Sequence, residues 1–547
     1  MFPGGQLEAC LSIAIHSRTS LVHSPSPGAP AAGIVPRRSA ARPDPAALAG
    51  TLALATALTT AASAPGSATE PAAPSLAVTH ATVIDATGRP PLPDATVLIA
   101  GDRITAVGPA AEVAVPPGTR LVDARGKFLI PALWDMHVHL ANQAEADLPS
   151  ALLARLLLAH GVVGARDMGG DWDRIVALRR AIAASEFHAP EILSPGPFLD
   201  GPHDPDPIFV SVLGAADAPA AVAKVVGLGV DFLKVQSGLS REAHAALASE
   251  ANRLGLPFVG HIPEALTALE VVRTGQLSIE HVSPALPGDA GLMRGCSAAE
   301  DRLLREIAEW NAYVARPDAD REEARRRQRE IQSLHLDPWD RGRMATLFRE
   351  MKERGTRAVP TLIWSRSFRP LAPEDDGRGI PMELFPAAFR ERVLAGRRRY
   401  LDATPPPVLE LNRRIAARSA DLVGELQRAG VPILAGTDTT DAFVVPGFSL
   451  HQELELLVGA GLSPLAALQA ATIAPARFLG RETQQGTVEA GKRADLVVLD
   501  ANPLEDIRNT RRIFALVAGG SLADRAALDR LLAPGTGAPP KLPAASR

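Results

Sequence analysis

A chain of 547 residues with 46% hydrophobic and 22% charged residues has the composition of a soluble globular protein, long enough for a large core and a second layer. Its formal charge of -4 gives no basis for a nucleic acid or an anionic membrane as partner. The two cysteines, Cys10 and Cys296, exclude a disulfide framework and a thiolate zinc site, so any metal has to be held by nitrogen and oxygen.

Residues 1–75 are rich in Ala, Ser, Pro and Thr. Arg37, Arg38 and Arg42 precede an apolar run from Ala46 to Ala61, and Ala62-Ser63-Ala64 offers an A-x-A cleavage site. That order is the layout of a secretory signal and predicts export with cleavage near Ala64; a disordered Ala-rich extension is the alternative. The run is short and alanine-rich for a membrane span, so no stable membrane insertion is expected. The stretch ahead of Arg37 exceeds an ordinary leader, which points to a start codon downstream of Met1.

Residues 76–130 read as short strands broken by turn residues: Leu76 to Ile84, Ala95 to Ile99 and Arg103 to Val107, with breaks at Gly88, Gly101-Asp102 and Gly108-Pro109. A matching set recurs in residues 481–530, at Gly486-Thr-Val, Ala494 to Asp500 and Ile513 to Val517. Two remote β segments of like character predict one small β-sandwich built from both chain ends. Between them, residues 131–480 alternate strand and helix. Strands are expected at 164–167, 191–194, 231–235, 257–260, 277–280, 358–362 and 432–435, with helices such as 151–159, 174–184 and 242–254 between several of them. Repeated β-α units predict an α/β protein with a parallel sheet, most economically an eight-stranded (β/α)8 TIM barrel whose chemistry sits at the C-terminal strand ends. Residues from about 297 to 430 interrupt the rhythm with charged helical stretches, among them Arg321 to Arg329. Such runs are mostly solvated helix faces, with a lid or a homo-oligomer contact as the other reading. Residues 531–547, rich in Pro, Gly and Ala, read as a disordered tail.

Within the barrel region, Phe128 to Leu140 ends an apolar strand with His137 and His139. The side-chain period of two puts both imidazoles on one side, where they can share a metal ion. Taken alone, a His-x-His pair is more often two surface histidines. Lys234 lies near the end of an apolar strand, where a buried amine needs a counter-charge or a chemical change; a lysine reaching solvent is the alternative. His261 follows Leu256 to Gly260, His281 follows Leu277 to Glu280, and Asp438 closes Pro432 to Asp438. Each is a candidate ligand at a strand end. Two weaker candidates for substrate contact are His203, in Asp200-Gly-Pro-His-Asp204, and His451, which precedes a helix. Arg166-Asp167 reads as a structural ion pair.

These marks resemble the amidohydrolase superfamily, in the branch of imidazolonepropionase-like proteins, prolidase-like peptidases and ochratoxin-type amidases. The resemblance rests on His137-x-His139, Gly161 to Gly170, Asp231-x-x-Lys234, His261, Ile279-Glu280-His281 and Gly436-Thr-Asp438. It continues through Leu462 to Thr472 and Gly491 to Leu499, covering about Leu76 to Gly520. Ala132 departs from the glycine usual before the histidine pair. The resemblance implies two divalent ions, usually zinc. His137, His139 and Asp438 would hold one, His261 and His281 the other, and Lys234 would bridge them as an N-carboxylated lysine. It further implies a bridging hydroxide that attacks the carbonyl of a peptide-like or other amide, with Asp438 moving the proton. The expected partner is thus a small-molecule or short-peptide substrate. A cyclic-amide hydrolase of the imidazolonepropionase kind, generally with one metal, is the rival reading. An inactive barrel kept for binding is the rival of another class.

Overall fold

The structure is a computed structural model that describes residues 74–142, 147–184, 189–284, 291–440 and 443–533. The stretches on which an export signal, its cleavage and a downstream start are expected, and the expected tail after Ala533, lie outside the described residues. No helix among the described residues is long and apolar enough to cross a membrane.

Strands from both chain ends share one sheet. β1 (Leu76–Val83), β2 (Leu92–Ala100), β3 (Arg103–Pro109), β4 (Arg120–Asp123) and β5 (Phe128–Pro131) come from the N-terminal side. The other side supplies three strands, Leu496–Leu499, Ile513–Ala518 and Ser521–Ala523. The join is antiparallel, with Leu496 opposite Pro131 and Leu499 opposite Phe128. Strand pairing runs through all eight strands as a single mixed sheet and does not by itself divide them into the two layers of the expected sandwich. The reason lies in β1, whose first half pairs with β4 and whose second half pairs with β5, so one strand carries both into the same sheet. Val78, Val97, Ile99, Leu129, Leu496 and Val517 meet in a core of their own.

The chain then alternates strand and helix, as its periodicity predicts. β6 (Leu133–Val138), β7 (Val162–Asp167) and β8 (Glu191–Leu193) form one parallel arc. A second parallel arc runs β10 (Phe209–Ser211), β9 (Phe198–Asp200), β11 (Leu233–Val235), β12 (Phe258–Gly260), β13 (Ser278–Glu280) and β14 (Arg357–Val359). Strand pairing does not close them into one continuous barrel ladder. The expected strand at 432–435 makes only isolated bridges: Leu434 N–H donates to Ala358 O at 2.9 Å, and Met136 N–H to Ala435 O at 2.9 Å. Pro432 has no N–H to give, and Asp438 turns left-handed at φ 59°, so the regular ladder is interrupted on both sides. On the opposite flank, Asp231 N–H donates to Ser194 O at 3.0 Å and ties β8 to the start of β11.

The connecting helices start where the sequence places a cap. Ser240 accepts from Ala243 N–H before the helix Arg241–Leu254, and Thr267 with Glu270 forms a reciprocal capping box. The charged insertion folds as the helices Glu300–Val314, Arg321–Leu334 and Arg341–Arg354, followed after β14 by Ala387–Ala403 and Pro406–Ala429. The first two enclose a small core of Leu303, Ile307, Trp310 and Ile331, while Glu323 pairs outside with Arg326 and Arg327. The strand expected to reach Leu362 stops at Val359, because a helix begins at Leu362.

His335, at the end of the helix Arg321–Leu334, is fully buried with Nδ1 on Ile331 O at 3.0 Å. Burial pushes its imidazole down to about 3 from an ordinary 6.5. Below pH 6.5 the unfolded chain takes up a proton that the folded chain refuses, so this residue's contribution to stability falls as pH falls. Relative to wild type, His335→Gln should therefore gain about 2 kcal/mol between pH 6.5 and 5, measured by urea denaturation. A difference between the two proteins that stays constant over that range would contradict the assignment.

Candidate metal centre

Alternation along β6 sends His137 and His139 the same way. His137 is fully buried, and the His139 side chain keeps 15% exposure. His261 follows β12 directly, His281 follows β13, and Lys234 is the central residue of β11. Asp438 ends the segment lying between β14 and β6. The C-terminal ends of parallel strands thus bring the candidates together. His137, His139 and Asp438 place one ligand atom each within 4.8 Å of one another. Nε2 of His139 lies 3.2 Å from Asp438 Oδ1, that of His137 3.4 Å, and that of His281 3.8 Å from Oδ2. His261 Nε2 is 3.2 Å from His281 Nε2. Lys234 is buried, and it acts electrostatically on both His261 and Glu280.

What aims these rings is the opposite nitrogen of each. His137 Nδ1 meets Glu280 Oε2 at 2.9 Å, and His139 Nδ1 meets Gly169 O at 3.0 Å. His261 Nδ1 meets Ser237 Oγ at 2.9 Å, and His281 Nδ1 meets Thr361 Oγ1 at 2.7 Å. A carboxylate and a carbonyl can only accept, so His137 and His139 carry hydrogen on Nδ1, and the lone pair of each ring in its neutral form lies on Nε2. Thr361 donates its own hydrogen to Pro360 O at 2.8 Å, which imposes the same tautomer on His281. A set of inward lone pairs, each ring held from behind, is a donor set for a divalent cation.

Electrostatics agree. Burial pushes His137 below its ordinary value, and burial with the nearby Lys234 and neighbouring imidazoles pushes His261 well below it, so both rings stay neutral. For His139 burial is the largest influence and acts downward, but Asp438, Asp167 and the Gly169 carbonyl together outweigh it and the net shift is upward. Burial would raise Asp438, yet His137, His139 and His281 together hold its carboxyl below the usual range. Neutral His137 and His261 and an ionised Asp438 are in the protonation states that metal ligation requires, whereas His139 favours its charged form and would give up a proton to a cation.

Three of the non-glycine residues with positive φ sit here: His281 (65°), Thr361 (47°) and Asp438 (59°). Each such conformation costs on the order of 1–3 kcal/mol and persists only where the surroundings fix it. Gly260 serves the same precision, because a Cβ there would lie 2.2 Å from Val235 O and push His261 off its strand end.

Behind the rings lies a buried polar layer that sequence reasoning missed. Arg166 NH2 grips both Glu280 oxygens at 2.9 Å, its NH1 donates to Ser278 Oγ at 3.0 Å, and its Nε donates to Met136 O at 2.6 Å. Asp135 holds Thr437 N–H at 3.0 Å and its hydroxyl at 2.7 Å, and burial pushes its carboxyl up to about 7. The expected Arg166–Asp167 ion pair is corrected: neighbours on a strand face opposite ways. Arg166 turns to Glu280, and Asp167 accepts from Leu140 N–H at 2.8 Å and Ser194 Oγ at 2.7 Å.

The two substrate candidates part company. His203 is half-buried, holds Asp200 Oδ2 at 2.6 Å and stacks on Phe209 with centroids 4.0 Å apart. Phe209 packs on Phe198, which packs on His139, so two aromatic rings separate His203 from the histidine cluster. His451 is not brought to it. The ring is fully buried, with Nδ1 on Thr510 Oγ1 and Nε2 on His160 O, both at 3.0 Å, and no ring nitrogen is left for a substrate.

Residues 384–521 match the amidohydrolase family. Imidazolonepropionase of Rubrobacter xylanophilus is 27% identical over 419 residues, 74% of this chain and 85% of the relative. The chain is similar to amidohydrolases, with the family match confined to its C-terminal part. Adenine deaminase 3 of Rhizobium meliloti is 23% identical over 443 residues, covering 78% of this chain but only 55% of that protein. Among solved structures, a protein of Bifidobacterium longum assigned provisionally as a prolidase superposes with a TM-score of 0.57 at 25% identity, covering 84% of this chain and 98% of its own.

Glu280→Gln leaves the Arg166 guanidinium buried without its counter-charge. A loss of about 3–5 kcal/mol is expected in urea denaturation, and Arg166→Met combined with Glu280→Leu should recover most of it. A single variant as stable as wild type would show that the pair does not hold this layer.

Proposed function

We propose that this chain is a metal-dependent hydrolase of the amidohydrolase superfamily that cleaves an amide bond of a small or peptide-like substrate. The observation that carries the reading is the convergence of four imidazole Nε2 atoms and the Asp438 carboxylate, each ring tied from behind. In this reading His137, His139 and Asp438 hold one ion and His261 with His281 hold a second; imidazole and carboxylate donors suit zinc. Lys234, buried beside His261 and Glu280, would serve both ions if its neutral amine adds carbon dioxide and loses a proton to become an N-carboxylated lysine, an anion where an ammonium would repel cations. When bound, such an ion supplies a Lewis acid for the carbonyl and acidifies water to a pKa near roughly 7.

The chain's own groups do the rest. Asp438, ionised and 3.2 Å from His139 Nε2, takes a proton from the attacking water and returns it to the leaving amine. The left-handed turn at Asp438 keeps its carboxylate over the cluster, and Arg166 through Glu280 stops His137 from turning away. A provisionally assigned prolidase among the structural relatives supports a dipeptide-type amide as substrate. The match to an imidazolonepropionase favours a second reading, a cyclic-amide hydrolase with one ion and Lys234 as a free amine.

Elemental analysis of purified protein, with turnover of dipeptides, N-acyl amino acids and cyclic amides, tests both. The proposal expects about two divalent ions per chain in wild type. His137→Ala should lose one of them and nearly all turnover while staying folded. Lys234→Ala should lose the bridge and regain part of its turnover with short carboxylic acids. Full metal content in His137→Ala would sink the assignment, and unchanged turnover in Lys234→Ala would favour the one-metal reading.

A further inference from the structure

The short helix Leu362–Phe368 and the residue before it supply two groups that touch His281. Thr361, immediately before it, meets His281 Nδ1 at 2.7 Å, and Trp364 packs against the His281 ring with centroids 5.1 Å apart. Thr361 occupies the helix's N-cap position in the left-handed conformation, φ 47° and ψ 45°, and its side chain makes no capping hydrogen bond. A capping threonine has an extended backbone and satisfies the first-turn N–H groups; the left-handed Thr361 does not. Its hydroxyl is committed instead to Pro360 O and His281.

Another residue does the capping. Glu453, on the helix Phe448–Gly459, is fully buried and accepts from Leu362 N–H at 3.1 Å through Oε1 and from Ile363 N–H at 2.7 Å through Oε2. An apolar side chain would fill that space without the cost of burying a carboxyl. Burial pushes this carboxyl up to about 8, and the two N–H donors act in favour of its ionised form.

We infer that Glu453 is a positioning residue of the candidate metal centre: by capping the helix Leu362–Phe368 in place of Thr361, it frees the Thr361 hydroxyl to fix the tautomer and direction of His281. Glu453 acts 91 residues along the chain from the first N–H it binds and touches none of the proposed ligands in the hydrogen bonds described above. Its effect passes through one helical turn. The reading of His281 as a metal ligand underlies the second of the two measurements below, and the first stands without it.

The experiment compares Glu453→Ala, Glu453→Gln, Thr361→Val, the Glu453→Ala/Thr361→Val double variant and Leu457→Ala, a buried change on the same helix. Ring nitrogen-15 shifts of His281 in metal-free protein read the Thr361 contact directly. Chelator competition then reads zinc affinity. Both Glu453 variants should move the His281 shifts toward those of Thr361→Val, and Glu453→Ala should weaken the looser zinc site by about 10–100-fold, the usual effect of an outer-shell partner. The double variant should be no weaker than the worse single variant, because both break one chain of contacts. Leu457→Ala should lower the melting temperature and move neither readout. If Glu453→Ala does not fold, Glu453→Gln, which keeps one acceptor, decides on the shifts. Wild-type His281 shifts in the folded Glu453 variants, or losses that multiply in the double variant, would overturn the inference. Wild-type protein that binds no zinc would sink the metal reading instead, and the shifts would still judge Glu453.

Discussion

The hydrogen bonds on the Nδ1 side of four histidines govern the geometry of this site. A histidine ring can turn about two bonds, and four free rings would present their lone pairs in many directions. Here a carboxylate, a backbone carbonyl and two hydroxyls, each from a different part of the chain, take up the outer nitrogens. The inner nitrogens then face Asp438 or one another at 3.2–3.8 Å. Rings fixed this way need little reorganisation to receive a cation, which is how an outer layer contributes to metal affinity.

That arrangement depends in turn on a charged layer placed where charge is costly. Arg166 and Glu280 are fully buried, one guanidinium nitrogen donating to both carboxylate oxygens beneath the His137 ring. A buried pair contributes little net stability, but it strongly penalises any conformation that separates it. The positive φ values of His281, Thr361 and Asp438 add local strain that the same packing has to hold. Stability is given up around the site in return for a defined orientation of its donors.

Much of this was legible in the chain. The spacing of His137 and His139, and the placement of His261, His281 and Asp438 after apolar runs, follow from strand periodicity and the rule that parallel strands present chemistry at their C-terminal ends. The partners behind the rings were not legible. Glu280 precedes His281 in sequence yet serves His137, 143 residues away, and Thr361 reaches His281 across 80 residues. Such pairs depend on which strands are neighbours, and no local pattern carries that. His451 misled because a histidine near a helix start reads alike whether its ring faces a cleft or, as here, Thr510 and a carbonyl. The barrel was legible as repeated units but not as a ladder, since Pro432 and the turn at Asp438 break pairing where the two arcs meet. The union of strands from both chain ends was legible, but their joining into one mixed sheet through β1, which pairs with β4 and β5 in succession, was not.

The central claim is that these donors form a divalent-metal centre. Anomalous diffraction at the zinc absorption edge, from crystals of protein supplied with zinc, tests it most directly. The account predicts one peak among His137 Nε2, His139 Nε2 and Asp438, and a second beside His261 and His281 with continuous density from Lys234 between them. Crystals that bind zinc elsewhere, with no anomalous peak within the histidine cluster, would contradict it.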